Sequence, residues 1–280
     1  MSRPLEGKVA LITGASRGIG AAIAANLASK GATLLLGYTS PSSLPLVTSL
    51  ATTLSTTYSI RAHPLCADLS LPSGATTLLT SAASLFAPSP LRLDILINNA
   101  GIALNAPLPS VTAADFTATY AVNVLAPLLL VQAALPHLPT DRSGRIVNIS
   151  SVSSSTGFVG QSVYGGTKAA LEAMTRTWAR ELAERATVNA VNPGPVEGPM
   201  YASNSPEFLE GIKGWNMHTP GMAVREGVDA PEVVAEAREA GGRLAKTSEI
   251  AGVVGMLCTP DAQWCTGSVV CANGGMVMMR

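Results

Sequence analysis

The stretch Lys8-Val9-Ala10-Leu11-Ile12-Thr13-Gly14-Ala15-Ser16-Arg17-Gly18-Ile19-Gly20 decides the fold. Val9 to Ile12 are four consecutive apolar residues, the pattern of a short strand covered on both faces, as in a parallel sheet between helix layers. Three glycines follow at once, and then the Ala-rich run Ala21 to Ser29, which reads as a helix. Glycine permits a tight turn and a close backbone approach, while a helix N-terminus offers free N–H groups and the positive end of its dipole. Strand, glycine turn and helix in that order make a phosphate-binding turn, here spaced Gly-x-x-x-Gly-x-Gly rather than Gly-x-Gly-x-x-Gly. Its candidate contacts are Gly14, Ser16, Arg17, Gly18, Ile19 and Gly20.

Outward from this turn, β-rich runs alternate with helical stretches: Lys8 to Thr13, Ala32 to Tyr38, Ile60 to Cys66, Leu93 to Asn98, Arg145 to Ser150, Thr187 to Asn192 and Gly267 to Ala272. That rhythm predicts an α/β fold over residues 1–280: a single-domain, doubly wound (Rossmann-type) parallel sheet of about seven strands with helices on both faces. Pro64 cannot donate to a ladder, so its strand belongs at an edge, where the order 3-2-1-4-5-6 puts the third strand. Ser42 to Tyr58 and Ser70 to Phe86 have Leu at helical spacing and read as thinly charged outer helices. Pro195 to Pro231 is crowded with Pro and Gly, which predicts an irregular substrate lid at about 195–240.

Composition narrows the function classes. Apolar residues are 47% and charged residues 13% of 280, which excludes disorder as the main state. Eighteen Lys plus Arg balance eighteen Asp plus Glu, so no cationic excess points to nucleic acid or a membrane surface. Thin surface charge and no net charge predict a homo-oligomer, dimer or tetramer. The densest apolar stretch, Ala121 to Val131, is broken by Asn123 and Pro127, so no membrane span is expected; with no signal-peptide pattern, a cytoplasmic location is. Cys66, Cys258, Cys265 and Cys271 lack CxxC spacing, and three of them lie in apolar stretches that predict reduced, buried thiols. His63, His137 and His218 are scattered, read as surface or loop residues, and give no sequence-local metal site.

A dinucleotide site usually has Asp or Glu about 20 residues after the turn, on the ribose 2′-hydroxyl. From Gly7 to Ala67 there is no Asp or Glu, while Arg17 lies in the turn and Tyr38, Ser40 and Ser42 close the second strand. Arg and hydroxyls can bind a 2′-phosphate that a carboxylate would repel, so NADP(H) is favoured over NAD(H). Tyr164 and Lys168, four apart, share a helix face. An ammonium in a desolvated cleft has the right sign to lower a phenol near pKa 10 toward working pH. That reading requires the Tyr164 hydroxyl to face the cleft and the Lys168 amine not to be bonded elsewhere. Ser151 and Asn98-Asn99-Ala100-Gly101 fall at strand ends, and Asn123 is a lone amide in an apolar helix.

With these motifs in this order, and with Asn192-Pro193-Gly194, the chain resembles the short-chain dehydrogenase/reductase family over nearly its whole length, closest in flavour to ketoacyl-carrier-protein reductases and fungal polyhydroxynaphthalene reductases. The resemblance implies that Tyr164 is the general acid/base and that Ser151 polarises the carbonyl oxygen. Lys168 would bind the nicotinamide ribose and lower the Tyr164 pKa, and Asn123 would hold a relay water. It also implies cofactor contacts at Asp68, Leu69, Asn99, Ala100, Gly101, Pro193, Gly194 and Val196. Two departures from the family pattern stand out: Gly198 stands where a Thr commonly bonds the carboxamide, and Gly165 and Gly166 replace Ala or Ser, leaving space for backbone or substrate.

The function expected is an NADPH-dependent carbonyl reductase. A non-redox cyclase or dehydratase on the same scaffold and an NADP(H)-sensing binding protein are the alternatives. Phe158, Met200 and Trp215 join Ser151 and Tyr164 as substrate contacts; with Tyr201, Phe208, Leu209, Met217 and Met222 they suggest a hydrophobic or aromatic ketone, or else the packing of a small lid core or a subunit contact.

Overall fold

Seven parallel strands form one sheet in the order β3-β2-β1-β4-β5-β6-β7 in the computed structural model, which describes residues 3–278. In chain order the first half comprises β1 (Val9–Ile12), α1 (Gly18–Ser29), β2 (Thr33–Tyr38), α2 (Leu44–Tyr58), β3 (Ala62–Cys66), α3 (Gly74–Ser84) and β4 (Ile95–Asn98). Next come α4 (Ala113–Tyr120), α5 (Ala126–Ala134), β5 (Gly144–Ile149), α6 (Ser153–Thr156), α7 (Ser162–Glu181) and β6 (Ala186–Pro193). The chain continues through α8 (Pro199–Ala202), α9 (Pro206–Met217), α10 (Pro231–Ala240), α11 (Thr247–Leu257) and β7 (Val269–Ala272). Pro64 lies in the edge strand β3, as its missing donor requires.

Alternation along the strands splits the core in two. Ala10, Ile12, Leu34 and Leu36 face α1, α2 and α11, where Ile23, Leu27, Val47 and Val254 are buried. Their neighbours Leu11, Leu35 and Leu96 face the opposite layer, against Leu78, Leu130, Leu171 and Trp178 of α3, α5 and α7. A period of two therefore covers both faces with apolar side chains, which is why the strands read as unbroken hydrophobic runs.

Three expectations are corrected. The segment expected to be an irregular lid is largely helical, because Pro199, Pro206 and Pro231 sit in the first turns of α8, α9 and α10, where no N–H partner is needed. Of the four unpaired cysteines only Cys258 is buried, with its thiol pushed up to about 12 by desolvation. Cys265 is half-buried, and Cys66 and Cys271 are exposed on the two edge strands. His63 is a half-buried strand residue, its imidazole pKa lowered by burial and by Arg61.

Asn123 and Pro127 interrupt the apolar run without interrupting the helical backbone. A π-helical turn, Ala121–Leu125, joins α4 to α5, and Pro127 falls in the first turn of α5. The resulting helical stretch Ala113–His137 contains an 18-residue window of mean hydropathy 1.7 and is long and apolar enough, by length and composition, to cross a membrane. Here Leu130, Val131 and Ala134 are packed into the sheet core.

Candidate active site

The carboxyl ends of β1, β4, β5 and β6 converge on one edge of the sheet, where doubly wound folds hold ligands. At β1 the turn is built on glycine: Gly14 and Gly18 have φ of +63° and +58°, and a Cβ on Gly20 would sit 2.3 Å from the Gly14 carbonyl oxygen. Arg17 precedes α1 without a side-chain cap, and no acid stands in the first turn. The free N–H groups and dipole of α1 are thus left for an anion, which fits a dinucleotide pyrophosphate. Arg17 is exposed and makes no ion pair among the described residues. Ser40 and Ser42, also at the surface, share a 2.7 Å hydrogen bond.

Asn99 braces this turn from β4. Its Nδ2 donates to the Thr13 and Gly14 carbonyls at 2.8 and 3.2 Å, and the Thr13 hydroxyl accepts the backbone N–H of Asn99 and Ala100 at 3.0 Å each. Asp68 is exposed and accepts two bonds from Ser70, which hold its carboxyl below the usual range. The Leu69 side chain is buried in the core, so only its backbone is offered to a ligand. Pro193 ends β6, its carbonyl accepting from Val152 N; Gly194 lies against Asn273, and Val196 packs on the core.

Helix α7 carries Tyr164 and Lys168, both buried, on its site face. Burial raises the Tyr164 pKa, and a hydrogen bond with Ser151 pulls it the other way. Lys168 Nζ lies 5.6 Å from the Tyr164 ring centroid and donates to the Ile149 carbonyl at 2.9 Å. This corrects the expectation that the ammonium lowers the phenol: in this structure desolvation dominates. The amine is bonded elsewhere through one of its three N–H groups, leaving two for a ligand. Desolvation also brings Lys168 down to about 8, against the opposing charge of Glu172. Asn123 donates to the Ile102 carbonyl at 2.8 Å and to Thr167 Oγ1 at 3.1 Å, and its Oδ1 accepts from Ile102 N at 2.9 Å. The expected relay amide is thus committed to bracing the loop after β4; a Cβ on Gly101 would lie 3.3 Å from Asn123 Oδ1 and 3.5 Å from Lys168 Nζ.

The glycines of α7 have a structural cause. A Cβ on Gly165 would stand 2.5 Å from the Ser153 carbonyl oxygen, and one on Gly166 3.0 Å from the Tyr120 hydroxyl. Gly198 has φ +131° and open space around it, with no hydroxyl to replace the missing Thr.

A family model described as short chain dehydrogenase matches residues 8–208. The chain is 57% identical to the L-xylulose reductase of Aspergillus niger and 50% to the L-xylo-3-hexulose reductase of Hypocrea jecorina, each alignment covering 99% of both chains. The protein belongs to the short-chain dehydrogenase/reductase family. Among solved structures, the angucycline C-6 ketoreductase LanV with bound NADP superimposes with TM-score 0.83 at 32% identity, covering 99% of this chain and 98% of that one. The chain is therefore an oxidoreductase of CH–OH/C=O chemistry with a nicotinamide cofactor.

Within this short-chain dehydrogenase/reductase, Ser151, Tyr164, Lys168, Asn123 and Gly101 lie close together. Phe158 instead packs edge-on against Phe208 and Trp215, with centroids 6.4 and 5.5 Å away, and Met200 is half exposed. The sequence reading overlooked Glu172, buried and bonded to Ser150 and Asn192, although its place four residues beyond Lys168 on an apolar stripe marked it. It also overlooked the amides of Asn105 and Gln161, which meet only through tertiary structure.

Proposed function

We propose that this enzyme reduces the ketone of a sugar to a secondary alcohol with NADPH. The observation that carries the reading is the buried Tyr164 phenol, hydrogen-bonded with half-buried Ser151 and beside buried Lys168. Bound at the glycine turn, the cofactor supplies hydride. Tyr164 donates the proton to the carbonyl oxygen, and Ser151 positions that oxygen. Two free N–H groups of Lys168 hold the ribose hydroxyls, while Asn123 fixes the loop that carries Gly101. Arg17, Ser40 and Ser42 receive the 2′-phosphate, in a region with no carboxylate to repel it. The sugar class rests on the two reductases to which the chain is similar end to end. A cytoplasmic location and a dimer or tetramer complete the reading; exposed Phe116, Leu125, Met256 and Trp264 favour association.

A second reading, an aromatic ketone, draws on the Phe158, Phe208 and Trp215 cluster and on the likeness to LanV. Loss of nicotinamide absorbance decides between them. L-xylulose and other ketoses should oxidise NADPH faster than NADH and faster than aryl ketones do. A panel in which only aryl ketones react would overturn the sugar assignment.

A further inference from the structure

We propose that the side-chain amides of Asn105, Gln161 and Asn204 form a hydroxyl-recognition site for the carbon chain of a polyhydroxylated ketone. The proposal rests on the sugar reading above and deepens it. The three amides come from three separate segments: the loop after β4, the residue preceding α7, and the lid beyond α8. Gln161 Nε2 donates to Asn105 Oδ1 at 2.8 Å, Asn105 Nδ2 donates to Asn204 Oδ1, and Asn204 Nδ2 donates to the Tyr201 carbonyl at 2.8 Å. Gln161 is 8% exposed, and its Oε1 has no hydrogen-bond partner among the described residues. A buried acceptor in that state calls for a donor.

Position supplies the second half of the argument. Gln161 stands three residues before Tyr164, about 4.5 Å along the axis at 1.5 Å per residue. A substrate whose carbonyl meets Tyr164 therefore has its next carbons within reach of this amide group. Hydroxyls both donate and accept, and so do primary amides, so a chain of alcohols can replace the amide-to-amide bonds without leaving a polar group unpaired. An apolar ketone cannot, and a site built to bond hydroxyls rejects the analogue that lacks them. The carbonyl of Gly160 accepts from Ala106 N at 2.8 Å, so Gln161 and Asn105 are held as one unit while Asn204 rides on the lid. The aromatic cluster, three residues before Gln161, packs α9 onto the same loop. The three amides thus lie where lid and site join.

The test compares the full-length enzyme with Gln161→Met and Asn204→Ala, using NADPH with L-xylulose and with 2,3-butanedione, a diketone without hydroxyls. Xylitol is tested as a product inhibitor of L-xylulose reduction at saturating NADPH, its inhibition constant reporting xylitol binding. The expected result is a ratio of kcat/KM, ketose over diketone, at least about tenfold lower in Gln161→Met, chiefly through KM, with weaker xylitol binding. Asn204→Ala, altered on the lid surface, should shift the ratio the same way and supplies the answer if Gln161→Met fails to melt cooperatively. Ketose turnover by the wild type with an unchanged ratio in the variants would overturn the amide site alone. A wild type that reduces the diketone but no ketose would overturn the sugar reading, and the amide site with it.

Discussion

The buried carboxylate of Glu172 accepts a 2.6 Å hydrogen bond from the Ser150 hydroxyl, at the end of the strand that leads to Ser151. Glu172 also accepts from Asn192 Nδ2 at 3.2 Å, and it lies one helical turn beyond Lys168. Its charge raises the Lys168 pKa against the larger lowering by burial. Glu172→Gln removes the charge from a similar shape, so Lys168 should lose its proton at lower pH. The alkaline limb of the kcat/KM profile for NADPH-dependent reduction should move down; an unmoved limb would show that Glu172 only packs.

Lys168 itself should leave a mark on stability. Its folded pKa, about 8, lies below the ordinary 10.5, so below pH 8 the fold carries the cost of a buried charge. Between pH 8 and 10.5 the unfolded chain binds the extra proton, and stability rises with pH. Relative to Lys168→Met, the wild type should therefore gain about 3 kcal/mol across that window, read from urea unfolding at each pH without cofactor. The comparison with the variant cancels the opposite contribution of the Cys258 thiol above pH 9.

Tyr164→Phe keeps the ring and removes the proton donor. Turnover should fall by about 10² to 10⁴, the usual worth of a positioned acid, while NADPH affinity by fluorescence titration stays within about twofold. A residual rate near wild type would assign the acid to another group.

Arg17→Ala should weaken NADPH binding by about tenfold or more, since a hydrogen bond to a charged group is worth roughly 1.5–3 kcal/mol, and leave NADH binding little changed. An equal loss for both cofactors would place Arg17 at the pyrophosphate instead.

Gly165→Ala drives a methyl to 2.5 Å from the Ser153 carbonyl oxygen, a backbone atom that cannot swing aside. Destabilisation of about 1–3 kcal/mol should accompany a displaced Ser151 loop and a fall in kcat. Gly166→Ala meets only the Tyr120 hydroxyl, at 3.0 Å, and should be milder on both counts. The thermal melts of the two variants rank them directly.

Local signals made the strands, the glycine turn and the edge position of β3 readable, because periodicity and a missing donor act within a few residues. Tyr164, Lys168 and Ser151 were readable for the same reason, each standing at a strand end or on one helix face. The irregular backbone expected at 195–240 was misjudged because the same prolines that end one element also begin the next, as Pro206 and Pro231 do. The state of Tyr164 was hidden because burial, which outweighs the hydrogen bond with Ser151, is set by the whole surrounding fold. Gln161 and Asn105 are 56 positions apart, and no spacing rule joins them.

The π-helical turn at Asn123 gives the helix between Ala113 and His137 one residue more than a regular spiral would use. Each residue advances a helix by about 100°, so that surplus sets the phase between its two halves. A chain one residue shorter in this turn could not keep both Leu130 against the sheet and the Asn123 amide against Ile102; it would have to give up either the oily seam or the polar clasp.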